Sequence, residues 1–196
     1  MKKLSTRDKI LQEGLRVMHE RGFHGASVRD IMQAAGVSQG SFTNHFGSKE
    51  AFGLEVLDLN FSNTLDVLHA TLLNDELPPL QRLGDYIAVN KAHLIRDGMR
   101  NGCLFGNFTA EASDQSEPMR RRLTEIYTQV QDAIRYCLTA AVKAGELPQD
   151  FDCDKTAGFI LSSLQGAILM AKAQDNAEPV DNFRQILFST ILRSPC

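Results

Sequence analysis

The 196-residue sequence contains no tryptophan, only three tyrosines and six prolines, and four cysteines. These cysteines, Cys103, Cys137, Cys153 and Cys196, form no C-x-x-C pair, and no histidine lies at metal-ligand spacing from any of them. The sequence therefore predicts no cysteine metal site, and a disulfide framework is not expected in a chain this long and this rich in helical pattern. We expect reduced thiols, no metal and no cofactor.

Long hydrophobic runs are also scarce. The first eight residues contain no apolar segment, so we expect no secretory signal. Residues 156–171 carry no charged side chain, but sixteen residues that include two serines and a glutamine are too short and too polar to span a membrane. With 43% hydrophobic residues and a net charge of −3, the composition indicates a globular protein rather than a disordered one. We expect a cytoplasmic protein with no membrane partner.

The charge is unevenly distributed along the chain. Residues 1–50 hold eight basic and five acidic side chains, a net charge of +3, whereas residues 51–196 hold thirteen basic and nineteen acidic ones, a net charge of −6. The negative total would disfavour a nucleic-acid partner. The basic first quarter instead indicates two parts with different partners.

Helical periodicity extends over almost the whole sequence. Capping boxes begin helices at Ser5–Asp8 and Ser27–Asp30, and Gly22 and Gly36 are placed to end them. The last predicted helix runs from Val180 to Arg193. No segment alternates convincingly at period two, so the predicted fold is all-α with about nine helices and no strand.

Residues 27–46 have the pattern of a helix-turn-helix, with small residues at the turn. On the second of the two helices, Phe42 and Phe46 face inward, and the opposite face is small, polar and uncharged. Such a face fits the major groove of DNA. Lys49, at the start of the following helix, is placed to contact a phosphate. The alternative is an ordinary packing of three short helices.

Several short motifs between Ile10 and Leu57 occur in the order of a known family. They are Arg21-Gly22-Phe23, Ser27-Val28-Arg29-Asp30-Ile31, Ala34-Ala35-Gly36-Val37-Ser38, Gly40-Ser41-Phe42, His45-Phe46 and Ser48-Lys49-Glu50-Ala51. This stretch, about a quarter of the chain, resembles the N-terminal domain of TetR/AcrR transcriptional regulators. The resemblance implies a DNA-binding domain over residues 1–47 and a helical ligand-binding and dimerisation domain over residues 48–196.

The predicted DNA contacts lie in the helix-turn-helix and at the start of the next helix. They are Ser27, Arg29, Ser38, Gln39, Ser41, Thr43, Asn44, His45 and Lys49. The family usually has tyrosine, typically packed on a phosphate, where this sequence has Thr43, and often lysine where it has Gln39. We therefore expect the operator affinity or the sequence preference to differ. For His45 the alternative role is packing at the end of the helix.

The apolar segment Thr156–Ala171 predicts a subunit interface. A helix that is apolar nearly all round must be covered on both sides. Small residues on this helix and apolar residues on the last helix form the predicted interface: Gly158, Ser162, Gly166, Phe183, Leu187 and Ile191. The resemblance likewise implies a homodimer with a four-helix seam. The alternative is a helix buried within one subunit.

Candidates for a ligand pocket are apolar residues interspersed with a few polar groups. They are Phe61, Leu65, Tyr86, Cys103, Phe105, Phe108, Tyr127, Gln165 and Met170. Residues of these types are more often ordinary core than the wall of a pocket. Cys103 falls at a predicted helix N-terminus three residues after Arg100, a setting that favours the thiolate. Its Gly-Cys-Leu context resembles a subgroup of the family in which some members sense electrophiles through cysteine; the alternative is a small buried apolar residue.

Together these features predict a ligand-responsive transcriptional regulator and not an enzyme. We expect a homodimeric repressor that binds a palindromic double-stranded DNA operator and is released by a small molecule, an electrophile being one candidate, or by thiol modification. A small helical enzyme is the first alternative, but no nucleophile–base pair, metal cluster or phosphate-binding glycine loop supports it. A helical interaction module that has lost DNA binding is the second, suggested by Thr43.

Overall fold

The computed structural model describes residues 5–193, so Lys2, Lys3 and Cys196 lie outside the described residues. Within that range the chain forms nine α-helices and no strand, which confirms the all-α prediction. The helices are α1 Thr6–Gly25, α2 Val28–Ala35, α3 Gly40–His45, α4 Lys49–Ala70, α5 Pro79–Arg96, α6 Leu104–Ala112, α7 Glu117–Lys143, α8 Cys153–Gln174 and α9 Glu178–Ile186.

Both predicted capping boxes are present. The Ser5 hydroxyl accepts a hydrogen bond from the Asp8 N–H at 3.1 Å, and the Asp8 carboxylate accepts one from the Ser5 N–H at 3.2 Å. Ser27 and Asp30 repeat this arrangement at the start of α2. Each box satisfies backbone donors that the first helical turn leaves unpaired, and so fixes where α1 and α2 begin.

Packing divides the chain into two compact units. The first contains the residues up to Asn63 together with Cys103–Glu125, and the second contains Thr64–Gly102 together with the residues from Ile126 onward. Helices α4 and α7 each contribute residues to both units. The boundary predicted after residue 47, between a DNA-binding and a ligand-binding domain, does not coincide with the division into these two packed units. It stays a prediction.

Aromatic rings form part of the core of the first unit. Phe46 lies edge-on to Phe52 with ring centroids 4.7 Å apart, and Phe42 meets Phe52 at 5.3 Å. Phe52 is fully buried and packs directly on α1, because a Cβ at Gly14 would lie 2.1 Å from the tip of its ring. This aromatic cluster therefore holds α3 against α4 and α1.

The second unit contains a buried cysteine on α7. Cys137 is fully buried, and its thiol donates a hydrogen bond to the Pro79 carbonyl at 3.0 Å. Burial raises the pKa of Cys137 from its ordinary value of 9.0 to about 12, because an apolar interior disfavours the thiolate. This thiol is a neutral core group at physiological pH.

The last helix differs from its predicted form. It is not continuous from Val180 to Arg193: α9 ends at Ile186 and a single π-helical turn, Leu187–Ile191, follows. The Leu192 N–H bonds to the Leu187 carbonyl at 2.9 Å, and both leucines are buried. An α-helix would place side chains five residues apart on different sides, whereas the wider turn keeps both in the core.

Helix α8, Cys153–Gln174, is long and apolar enough to cross a membrane by length and composition alone, a weak signal that core helices of soluble proteins also give. In this structure one side of α8 is buried, including Ala157, Ile160 and Leu164, while Phe159 and Leu169 on it are exposed. The helix therefore packs on one side and leaves an apolar strip on the other.

Candidate nucleic-acid interface

Helices α2 and α3 form the predicted helix-turn-helix. Helix α2 ends at Gly36, whose left-handed backbone, φ 67°, directs its N–H back to the carbonyls of Met32 and Gln33. Glycine adopts this conformation without a Cβ clash. Helix α3 then begins at Gly40 and buries Phe42. The turn therefore presents the opposite side of α3 to the surface.

The start of α2 is fixed by electrostatics as well as by its capping box. The hydroxyl and the backbone N–H of Ser27, with a further contribution from Arg21, hold the pKa of Asp30 below its usual range. The Arg21 guanidinium lies 3.2 Å from the Asp30 carboxylate. Asp30 is therefore ionised at neutral pH, and its negative charge interacts favourably with the positive, N-terminal end of the α2 dipole.

The predicted DNA contacts all reach the protein surface. Ser41 and Lys49 are half-buried, and the other seven are exposed: Ser27, Arg29, Ser38, Gln39, Thr43, Asn44 and His45. This placement is compatible with DNA binding, and contact of each residue with DNA stays a prediction.

The hydroxyl groups of this surface already make local hydrogen bonds. Ser27 caps α2, and the hydroxyls of Ser38 and Ser41 lie 3.0 Å apart. The Thr43 hydroxyl donates to the Gly40 carbonyl within α3 at 3.0 Å. A new partner would have to share or replace these bonds.

The nitrogen-bearing side chains of the surface are the available donors. The side chains of Arg29, Gln39 and Asn44 are exposed and make no hydrogen bond within residues 5–193. The exposed His45 ring packs edge-on against Phe46 with centroids 6.2 Å apart. His45 thus both packs at the end of α3 and leaves its imidazole accessible.

Lys49 is folded back against the protein. Its ammonium group lies 4.9 Å from the centroid of the Phe23 ring and donates to the His24 carbonyl at 3.4 Å. Burial lowers the pKa of Lys49, and the negative charge of Glu111 opposes that shift. An ammonium group has three donors, so this arrangement leaves capacity for a phosphate, although the side chain is less extended than a surface contact requires.

Glu111, at the end of α6, contacts the same corner and was missed by the sequence analysis. Its carboxylate accepts a hydrogen bond from the His24 N–H at 2.9 Å, and the His24 ring nitrogen lies 2.9 Å from the Glu111 carbonyl. The carboxylate occupies the space of an absent side chain, because a Cβ at Gly22 would lie 2.1 Å from its Oε1. Gly22 also has φ 76°, which a residue with a Cβ rarely adopts. No local pattern links residues 87 positions apart.

The start of α4 is anchored by a separate contact. Ser48 caps this helix through its hydroxyl, which accepts from the Ala51 N–H at 3.0 Å. Two residues after Ser48, the carboxylate of Glu50 accepts a hydrogen bond from the hydroxyl of Ser116, which is buried just before the start of α7. These bonds fix the helix end on which Lys49 stands.

Four of the predicted ligand-pocket residues belong to the first compact unit. Phe61 and Phe105 are buried and meet edge to face with centroids 6.5 Å apart. Phe108 is fully buried and packs on Phe23 at 5.5 Å. Cys103 is half-buried and lies at the N-cap position of α6 without a side-chain capping bond, so its predicted position at a helix N-terminus is confirmed.

The other five belong to the second unit. Tyr86 is buried, and Leu65, Tyr127 and Gln165 are half-buried. Met170 is 48% exposed and lies on the outer surface of α8, so it is a surface residue of the described chain rather than part of its interior. A ligand pocket formed by these residues stays a prediction.

The predicted subunit interface needs one correction. Leu187 is fully buried within its own chain, because it lies two helical turns after Val180 on the side of α9 that is buried. Ser162 and Gly166 are exposed, and Gly158, Phe183 and Ile191 are half-buried.

The exposed apolar side chains of α8 and α9 are different ones: Phe159, Leu169, Met170 and Ile186, which we call the α8–α9 face. Their exposed fractions run from 46% to 64%. Large apolar side chains grouped on a surface are typical of interaction sites. Phe159, Ser162, Gly166 and Leu169 recur at helical spacing on the exposed side of α8, but the buried side is apolar too, so this spacing alone does not tell the two sides apart.

Comparison with known families gives two matches that together cover most of the chain. Residues 10–56 match the family described as bacterial regulatory proteins, tetR family. Residues 79–187 match the family described as tetracyclin repressor-like, C-terminal domain.

Individual relatives agree with these matches. The HTH-type transcriptional repressor DhaR of Mycobacterium sp. (strain GP1) is 39% identical over 194 residues, which cover 99% of this chain and 96% of that protein. The regulatory protein TetR from Rhodobacter sphaeroides is similar in structure with a TM-score of 0.87 and 29% identity, covering 92% of this chain and 95% of that one. The reduced form of E. coli NemR gives a TM-score of 0.83 and 28% identity, covering 91% and 92%.

Proposed function

Because the chain belongs to the tetR family of bacterial regulatory proteins, we propose that it is a homodimeric repressor that binds a palindromic operator and releases it in response to an effector. The family and the relatives described above are DNA-binding transcriptional regulators and not enzymes. The observation that carries the proposal is the exposed, polar face of α3, set on an aromatic core.

In this proposal α3 enters the major groove, as the second helix of a helix-turn-helix does. Gln39 and Asn44 offer free amides to base edges, while Arg29 and Lys49 contact phosphates. Residues 1–47 carry this role, and the remainder of the chain carries dimerisation and regulation.

The homodimer is supported by the α8–α9 face. Two copies joined through it by a two-fold axis would cover Phe159, Leu169, Met170 and Ile186 on both subunits. Two α3 helices related by the same axis match a palindromic operator with half-sites one or more helical turns apart.

The proposed effector acts on the C-terminal part of the chain. Aromatic residues such as Phe61 and Phe105 suit an apolar small molecule, and the half-buried Cys103 suits an electrophile or an oxidant. The effector must bind the DNA-incompetent conformation more tightly than the DNA-bound one, because only differential affinity shifts the equilibrium. A regulator of this kind acts in the cytoplasm, where DNA and reduced thiols are found.

DNA binding is tested by selecting ligands for the full chain from random duplex DNA and measuring affinity across a salt series. We expect a palindromic consensus and a linear fall of log K with log salt, since phosphate contacts release counterions. Failure to bind any duplex at low salt would refute the repressor proposal.

The thiol route is tested separately with N-ethylmaleimide on the preformed operator complex. We expect release of the wild type and retention of Cys103→Ser. The matched control is Cys153→Ser, which removes the other half-buried thiol among residues 5–193. Equal release of both variants would leave a small-molecule ligand as the effector and remove Cys103 from the proposal.

A further inference from the structure

The outer face of α3 lacks the groups that most often recognise guanine. Gly40–His45 contains neither arginine nor lysine, the residues that form bidentate bonds with guanine O6 and N7. The exposed side chains are instead the amide of Asn44, a second amide at Gln39 just before the helix, Thr43, and the imidazole of His45 at the helix end. Amides pair with adenine, the partner of thymine.

The Thr43 hydroxyl is directed away from a DNA partner. It donates its proton to the Gly40 carbonyl at 3.0 Å, inside its own helix. A phosphate oxygen only accepts hydrogen bonds, so this hydroxyl cannot contact the DNA backbone without giving up that bond. Such back-bonding of threonine to a preceding carbonyl is a common helical conformation.

The remaining group of Thr43 is its γ-methyl. The residue is exposed and directly follows the buried Phe42, so its side chain points about 100° around α3 from the buried side. With the oxygen turned back along the helix, an apolar methyl group is what Thr43 offers to the groove. In the major groove the matching apolar group is the 5-methyl of thymine, which no other base of DNA carries.

We propose that Thr43 is a specificity-determining residue whose γ-methyl contacts the 5-methyl of a thymine in each operator half-site, beside an adenine recognised by the Asn44 or Gln39 amide. This inference rests on the proposed function, because it assigns a base preference to the same DNA-binding surface. It replaces the hydroxyl–phosphate role that the family's tyrosine would suggest for this position.

Two variants separate the methyl from the hydroxyl. Thr43→Val keeps the γ-methyl and removes the hydroxyl, and Thr43→Ser keeps the hydroxyl and removes the methyl. Both change an exposed residue, so both are expected to fold, which circular dichroism and thermal unfolding check. The DNA probes are the selected wild-type operator and copies in which one thymine per half-site is replaced by uracil, which lacks only the 5-methyl.

For one thymine position we expect the wild type and Thr43→Val to lose about fourfold in affinity on uracil replacement, the factor for losing one buried methyl contact. Thr43→Ser should bind both operators equally, at the level of the wild type on the uracil probe. A weakened Thr43→Val with an unaffected Thr43→Ser would overturn the proposal in favour of a hydroxyl contact.

Insensitivity of the wild type to uracil at every thymine position would overturn it as well. These outcomes are distinct from failure of the proposed function, which would appear earlier as the absence of any operator selected by the wild-type chain.

Discussion

The carboxylate of Glu111 accepts a hydrogen bond from the backbone N–H of His24 at 2.9 Å and thereby ties the end of α6 to the end of α1. The contact is made possible by Gly22, which leaves room for the carboxylate where any other residue would place a Cβ. Lys49 lies at the same corner, within the electrostatic influence of Glu111. One acidic side chain far along the sequence thus bonds to the backbone beside the first residues of the DNA-binding surface.

Removing this carboxylate should loosen the corner. We expect Glu111→Ala to lower the free energy of unfolding by about 1 to 2 kcal/mol, the value of a partly exposed hydrogen bond to a charged group. Glu111→Gln should lose less, because the amide oxygen still accepts a bond. Urea denaturation measures both, with Asp114→Ala, an exposed acid two residues beyond α6, as the control. An equal loss in the control would show a general charge effect rather than this bond.

Substitution of Lys49 tests how the helix-turn-helix is predicted to dock on DNA. Lys49→Ala should weaken binding to specific and random duplexes alike and reduce the slope of log K against log salt by about 1, because one phosphate contact is lost. Lys49→Met keeps an unbranched apolar side chain at this position but removes the ammonium group that lies over Phe23, so it should show the same loss of DNA binding. Lys143→Ala, at the end of α7, is the control and should change neither the DNA affinity nor the salt slope. An unchanged salt slope in Lys49→Ala would mean that the lysine is structural.

Charged substitutions on the α8–α9 face test whether the chain forms a homodimer through it. Leu169→Glu or Ile186→Glu should produce monomers in analytical ultracentrifugation, since each places a charge where an apolar partner is expected. Ile95→Glu is the matched control, because Ile95 is 55% exposed but belongs to α5. The face would be excluded as the interface if Leu169→Glu remained dimeric at the concentrations where the wild type is dimeric.

The buried thiol of Cys137 predicts a specific response to alkaline pH. Its pKa is raised in the folded protein, so its contribution to stability is complete below pH 9.0 and decreases as pH rises towards about 12. We expect the stability difference between the wild type and Cys137→Ala to be constant up to about pH 9 and to shrink above it, by up to about 1.4 kcal/mol per pH unit.

Guanidinium denaturation at pH 8, 9.5 and 10.5 measures this difference in both proteins. Tyr136, whose pKa is also raised because its hydroxyl bonds to the Asp75 carboxylate, titrates in both and cancels in the comparison. A difference that does not vary with pH would show that Cys137 ionises as readily folded as unfolded.

Features encoded by neighbouring residues were predictable from the sequence. The capping boxes at Ser5 and Ser27 and the glycine at the helix-turn-helix corner follow from spacings of three or four residues, and the structure contains all of them. The exposed face of α3 was predictable for the same reason, because Phe42 and Phe46 define its buried side.

Features set by distant contacts were not predictable. The sidedness of α8 has no clear polar marker in the sequence, so the exposed Phe159 and Leu169 were missed. The prediction of Leu187 at the interface was wrong, because apolar residues lie on both sides of the last helix and only the packing shows which side is buried. The burial of Lys49 depends on the Phe23 ring, and the role of Glu111 depends on a backbone donor 87 residues away.

The aromatic core beneath α3 has a consequence for domain transplantation. A fragment ending at residue 47 would retain Phe42 and Phe46 but lack Phe52, the ring on which both pack. It would also lose Phe108 and Met119, which lie against Phe23 and Gly53 in the same compact unit. A chimaeric regulator built to have this DNA specificity must therefore include residues 103–125 as well as the N-terminal helices. The N-terminal helices alone are not expected to transfer the specificity to another protein.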